Sequence, residues 1–288
     1  MTKPSVRTAA IGMAIALAIS ACGSGSSNSA SADSADSSDP AAPESQAQNG
    51  DGVEFGEDGE VINDLDSVAF TPGQVSHAEL VINGTAIEYS TLVPEGFDVG
   101  DTAPVLLAIP PGSQNLQLNL TIMAETYGRP ALDNGWVVVS PAAPAGQLYH
   151  TGAEALIPDL MEWINGWVTP EGGRPHLIGI SNGGLSAFRI AGAQPEAFAS
   201  ITAYPGFPNS APDVDALSSL TDTPIRMFVG GEDELWVQPM EQTADLITEL
   251  NGDVELEVFP GEGHFIRSLS DGVRLFEELE TIRQTDQQ

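Results

Sequence analysis

The chain has 288 residues, 41% of them hydrophobic, which suits one large α/β domain or two small ones and excludes a wholly disordered protein. Its 9 basic and 41 acidic residues give a formal charge of −32, which argues against nucleic acid and anionic lipid headgroups as partners. Cys22 is the single cysteine, so no disulfide can form within one chain and the core alone must hold the fold.

At the N-terminus "MTKPSVR" is basic, "AAIGMAIALAI" is apolar but short for a bilayer span, and "SAC" is a small-residue cleavage site. These residues resemble a bacterial lipoprotein signal with Ile19-Ser20-Ala21-Cys22 as the lipobox. The resemblance implies that residues 1–21 are removed, that Cys22 carries lipid, and that the protein is held outside the cytoplasmic membrane. An ordinary secretory signal, or an uncleaved anchor with an incidental cysteine, are the alternatives. Residues 22–65 are mostly Ser, Ala, Asp, Gly, Asn and Gln, too polar to offset chain entropy, and read as a disordered tether. About 40 residues of this kind reach roughly 35 Å. The folded domain is expected over residues 66–288.

Within it, "AELVING" and "TAIEYSTLVP" read as antiparallel strands joined at Asn83-Gly84, a hairpin turn signal. Six further apolar runs follow: "APVLLAIPPG", "GWVVVSPAAP", "RPHLIGIS", "FASITAYPG", "TPIRMFVGG" and "VELEVFPG". Continuous apolar runs suit strands buried on both faces. Helical patterns fill the gaps. One face of "ALIPDLMEWINGWV" carries Leu156, Leu160, Trp163, Ile164 and Trp167. "QPMEQTADLITELNG" gathers Met240, Leu246, Ile247 and Leu250 and stops at Asn251-Gly252, and "SDGVRLFEELETIRQ" gathers Val273, Phe276, Leu279 and Ile282. Alternating strands and helices predict an α/β fold: a mostly parallel sheet flanked by helices on both faces, with an N-terminal antiparallel hairpin. Sites in such sheets form beyond the carboxyl ends of the strands.

Gly179-Ile180-Ser181-Asn182-Gly183 fits G-x-S-x-G. An apolar strand runs into it and an apolar helix, "GLSAFRIAGA", runs out, the strand–turn–helix context of a nucleophile elbow; a passive serine in a glycine-rich turn is the alternative. Gly179, Gly183 and Gly184 leave room for the tight turn. A serine hydroxyl needs a base. His176 starts the strand that ends at Ser181 and so lies at the wrong sheet edge, while His77 precedes the first clear strand. His264, a few residues past the last strand, is the expected base. His150 is held in reserve and read as a pocket or surface residue. "IRMFVGGEDELWV" brings Glu232, Asp233 and Glu234 to the correct edge, with Asp233 the best fit as the acid that fixes the tautomer of the base. Expected oxyanion donors are the N–H of Asn182 and that of Gly112, with Ser113 next, because Pro110 and Pro111 carry none. A plain Pro-Gly turn is the competing reading there. Tyr204 and Phe207, in a segment too short for a large lid, are expected to line the substrate pocket together with Ser113 and His150. Ser…Asp…His is the order used by α/β-hydrolases.

On these motifs the chain, from about residue 77 to its end, resembles the α/β-hydrolase superfamily, without a large cap domain. "LIGISNGG", "GWVVVSP" and "EAFASITAYPG" look like secreted esterases of the polyhydroxyalkanoate depolymerase and feruloyl esterase group. The resemblance implies an ester hydrolase that works through an acyl-enzyme with no metal or cofactor, Ser181 as nucleophile, Asp233 as acid and His264 as base. Pro110-Pro111 depart from the His-Gly usual there, which leaves open the second oxyanion donor and the substrate branch. A small-molecule or polymeric ester is the expected substrate, and a monomer the expected state. The competing readings are a serine peptidase of the same fold and a catalytically silent binding lipoprotein.

Overall fold

The computed structural model describes residues 60–62, 68–144 and 147–286; the signal sequence, Cys22 and most of the segment read as a tether lie outside them. Nine strands form one sheet: β1 (Glu60–Ile62), β2 (Val75–Ile82), β3 (Thr85–Leu92), β4 (Val105–Ile109), β5 (Val137–Pro141), β6 (His176–Gly179), β7 (Ile201–Ala203), β8 (Ile225–Gly230) and β9 (Val254–Phe259). Their spatial order is β1-β2-β3-β5-β4-β6-β7-β8-β9, and β3 alone runs against the rest. Helices connect the parallel strands. α1 (Leu116–Ile122) continues through a π-turn (Met123–Tyr127) into α2 (Gly128–Asp133), and α3 (Ile157–Trp167), α4 (Asn182–Ala193), α5 (Ala211–Ala216), α6 (Glu234–Glu249) and α7 (Val273–Asp286) follow. This is the α/β-hydrolase fold with no cap domain among the described residues: α5 and a short 3₁₀ turn (Leu217–Ser219) are the only helical elements between β7 and β8.

The hairpin forms where Asn83-Gly84 predicted it. Both residues have positive φ (51° and 80°), as a two-residue turn with the twist of its strands requires, and Ile82 pairs with Thr85. His77 lies inside β2, opposite Ser90, not ahead of the first strand. β1 sits within the stretch read as tether and pairs in parallel with Ala78–Leu80.

Side chains alternate between two cores, one on each face of the sheet. Val105, Leu107 and Ile109 join Val137, Val139 and Leu177 against α3, α4 and α6. Leu106, Ala108, Val138 and Ile178 face Met123, Tyr127 and Ala131 on one side element and Leu275, Phe276 and Leu279 of α7 on the other. β4, β5, β6, β7 and β8 are buried along their whole length, whereas β9, the edge strand, alternates in exposure. α6 begins at Glu234, four residues before its sequence pattern suggested, and holds Pro239 in its interior. Register fixes the level of the site: Ile109 pairs with Gly179 and Gly179 with Ala203, so the loops after β4, β6 and β7 leave the sheet side by side.

Candidate active site

Ser181 follows β6 at φ 54°, ψ −116°, a conformation costly for any residue with a side chain, and caps α4. The turn is held by its backbone: Ser181 N–H donates to the Pro205 carbonyl (2.9 Å) and Gly183 N–H to the Ile180 carbonyl (2.7 Å). The neighbouring glycines are obligatory, as expected. A Cβ on Gly183 would lie 2.1 Å from the Ile109 carbonyl oxygen, and one on Gly179 the same distance from that of Gly183. The chain can turn this sharply, against β4 and β7, only without those side chains.

Asp233 and His264 meet Ser181 from the ends of β8 and β9. His264 Nδ1 stands 2.6 Å from Asp233 Oδ2, and its Nε2 stands 2.8 Å from Ser181 Oγ. A carboxylate only accepts, so Nδ1 carries the proton and Nε2 is left to accept from the Ser181 hydroxyl. Asp233 is nearly buried and His264 about half exposed. The spacing of this pair is set by backbone. Gly231 N–H donates to the Phe259 carbonyl and Glu232 N–H to the Glu262 carbonyl, both at 2.8 Å, tying the acid's loop to the base's loop. At Gly230 the two loops approach so closely that a Cβ would lie 2.1 Å from the Gly263 oxygen. Glu232 and Glu234, the other carboxylates considered, are exposed to solvent. Trp236, one helical turn after Asp233, packs against the His264 ring (centroids 4.9 Å) and in turn against Phe207 (5.1 Å). Sequence reasoning singled out Phe207 but not Trp236, whose i+3 spacing from Asp233 was the available signal.

The loop Pro110–Asn115 follows β4 and meets the start of α4. Asn182 Nδ2 donates to the Gly112 carbonyl (2.8 Å), which joins the loop to the first turn of α4. As the first residue of the helix, Asn182 has no intrahelical acceptor for its N–H. Among the described residues neither that N–H nor the Gly112 N–H donates to another backbone group. In a planar trans peptide the C=O and the following N–H point oppositely, so the Ser113 N–H is directed away from Asn182. Ser113 is exposed and its Oγ accepts from Asn115 Nδ2 (2.8 Å).

One pocket expectation needs correction. Tyr204 is buried among Met123, Tyr127 and Phe276, with its hydroxyl donating to that of Tyr127 (2.7 Å). Burial pushes both phenols well above their ordinary range. Strand alternation is the reason: Ala203 faces the α4 side, so Tyr204 faces the other. His150, also expected at the pocket, is half-buried and bonded to Ser186 Oγ (3.2 Å), not to Ser181. Desolvation lowers its pKa and nearby Arg189 acts in the same direction, against the Asn182 carbonyl, Asp213 and Glu154. His176 sits at the opposite sheet edge, as expected, bonded to Ser200 Oγ (2.7 Å). Cys22 lies outside the described residues. Among those residues no three His, Cys, Asp or Glu side chains gather as a metal site would need, and no helix is long and apolar enough to cross a membrane.

Known proteins give a consistent picture of the fold. The sequence profile of the dienelactone hydrolase family matches residues 142–274, a segment that includes Ser181, Asp233 and His264. A search by sequence among curated proteins gives no match. A thermostable esterase superposes with a TM-score of 0.56 at 17% identity, covering 73% of this chain and 62% of that one, so the chain spans less than two thirds of that esterase. An S-formylglutathione hydrolase from Agrobacterium tumefaciens gives 0.55 at 14% identity over 72% of this chain and 93% of that one. A dienelactone hydrolase from Anabaena variabilis gives 0.54 at 13% over 74% and 97%.

Proposed function

We propose that this chain is a carboxylic ester hydrolase that works through a Ser181–His264–Asp233 triad and a covalent acyl-enzyme. The observation that carries the reading is the unbroken relay of hydrogen bonds from Ser181 Oγ through the His264 ring to Asp233, at the carboxyl edge of the sheet. His264 Nε2 takes the Ser181 proton as Oγ attacks the ester carbonyl carbon. The carbonyl oxygen, now an oxyanion, accepts from the N–H groups of Asn182 and Gly112. Collapse expels the alkoxide, which leaves with the proton from His264, and Ser181 keeps the acyl group as an ester. Water then repeats the sequence, with His264 as base, and releases the carboxylic acid. Asp233 holds Nδ1–H in place and stabilises the imidazolium that forms in both halves. The similarity of residues 142–274 to the dienelactone hydrolase family supports a hydrolase.

The substrate is an ester with a bulky or apolar group. Ser181 is only partly buried, nothing larger than α5 intervenes between β7 and β8, and Phe207 and Trp236 offer an apolar wall beside His264. The enzyme acts as a monomer outside the cytoplasmic membrane, held by lipid on Cys22, a reading that rests on Ile19-Ser20-Ala21-Cys22. Hydrolysis of p-nitrophenyl esters of increasing chain length, with peptide amides alongside, tests the activity. Turnover of esters and none of amides is expected; amide turnover at comparable rate would make it a peptidase, and no turnover would remove the enzyme reading. Cys22→Ala should move the protein from the membrane fraction to the soluble one.

A further inference from the structure

Pro110 and Pro111 contribute no N–H to the oxyanion site, so the position of the loop must be fixed by something other than its own first residues. The Asn182 amide reaches the Gly112 carbonyl across 70 residues of sequence. Behind it, Gln114 is fully buried with φ 54°, a conformation that a glutamine adopts only when its surroundings fix it. All of its polar groups are used. Its N–H donates to the Pro111 carbonyl (2.9 Å), and its carbonyl accepts from Ala143 N–H (2.7 Å). Its Nε2 donates to Ser186 Oγ (2.8 Å), and its Oε1 accepts from Tyr149 N–H (2.9 Å). Ser186 in turn donates to the Asn182 carbonyl (2.8 Å). Its one proton being spent there, its bond to His150 is donated by Nδ1–H of the imidazole. The loop is thus tied to α4 at two points one helical turn apart, residues 182 and 186.

We infer that the Asn182 side chain is a positioning residue: by holding the Gly112 carbonyl it fixes the Gly112 N–H relative to the Asn182 N–H, and Gln114 with Ser186 anchors the loop from behind. Asn182 therefore acts twice, its backbone as a donor to the oxyanion and its amide as the brace for the other donor. This assignment rests on the esterase reading above.

Asn182→Ala keeps the backbone N–H and removes only the brace. On a p-nitrophenyl ester its kcat should fall about 10- to 100-fold, short of the 10²–10³ expected when a donor is lost outright. KM should stay within about twofold, because the brace matters for the transition state more than for the ground state. Affinity for phenylboronic acid, whose serine adduct places a tetrahedral oxygen in the same site, should fall in parallel with kcat. Asn182→Asp, the same size but turning an acceptor towards the Gly112 carbonyl, should be worse than alanine. Amide exchange of residues 112–115, followed by mass spectrometry, should quicken in both variants while Tm hardly moves. An unchanged kcat with unchanged exchange overturns the assignment, as does a loss of kcat that tracks a lower Tm and a higher KM. If the wild-type protein turns over no ester, the esterase reading fails by itself. The brace is then judged by exchange alone: faster exchange in Asn182→Ala sustains it and equal exchange refutes it.

Discussion

Gly230→Ala should disable the enzyme without altering Ser181, Asp233 or His264. The added Cβ would lie 2.1 Å from the Gly263 carbonyl oxygen and 2.4 Å from that of Glu262. Ordinary contact begins near 3.4 Å, so the loop that carries His264 must retreat by about 1.3 Å, because β8, buried along its length, cannot yield. A displacement of about 1 Å in a catalytic group costs on the order of 10²-fold in rate. Overpacking also destabilises, by about 1–3 kcal/mol. Gly231→Ala is the matched control: its Cβ would lie 3.2 Å from the Phe259 oxygen, which a small adjustment relieves, and its activity should stay within about threefold of wild type. Steady-state ester hydrolysis at saturating substrate, with denaturant unfolding on the same samples, separates the rate effect from the stability effect. A Gly230→Ala enzyme with wild-type kcat would show that the close approach of the two loops does not set the position of the histidine.

Three other consequences are open to measurement. Ser181→Gly should abolish turnover and yet raise stability by about 1 kcal/mol in chemical denaturation, since glycine relieves the conformation at φ 54° that serine tolerates only for function; a less stable variant would contradict the strain. His176, buried and flanked by Arg283 and Arg174, has its pKa lowered from 6.5 to about 4, with burial the main cause. Between those values the unfolded chain takes up a proton that the folded one refuses, so this group removes about 3 kcal/mol of stability as pH falls from 6.5 to 4; wild type should lose about that much stability relative to His176→Gln from pH 7 to pH 4, and a constant difference would refute it. Trp236→Ala, which removes the ring packed on His264, should lower kcat by about 10-fold and leave labelling of Ser181 detectable; full activity would mean that the stacking does not orient the imidazole.

Much of the architecture was readable because its strands are long apolar runs separated by helices of clear periodicity, and Asn83-Gly84 names its own turn type. The meeting of Ser181, Asp233 and His264 was readable for a related reason: in a parallel sheet, residues just past strand ends share an edge, so the three could be placed together without knowing any distance. What escaped depends on side-chain direction. Tyr204 was assigned to the pocket, although its alternation with Ala203 sends it into the opposite core. Pro239 disguised the start of α6, since a proline reads as a first-turn residue while here it lies inside the helix. β1 was hidden by its shortness and by the polar stretch around it. The ties between the Gly112 loop and α4 join residues 70 and 72 apart in sequence through side-chain amides, and neither composition nor periodicity carries such a bond.

The central claim is that Ser181 is an activated nucleophile. The direct measurement is to treat the purified protein with a fluorophosphonate and locate the adduct by mass spectrometry of its peptides. The account predicts one adduct, on Ser181, formed rapidly in the wild type, slowed sharply in His264→Ala and absent in Ser181→Ala. No adduct on the wild type, or one on another residue that persists in Ser181→Ala, would contradict it.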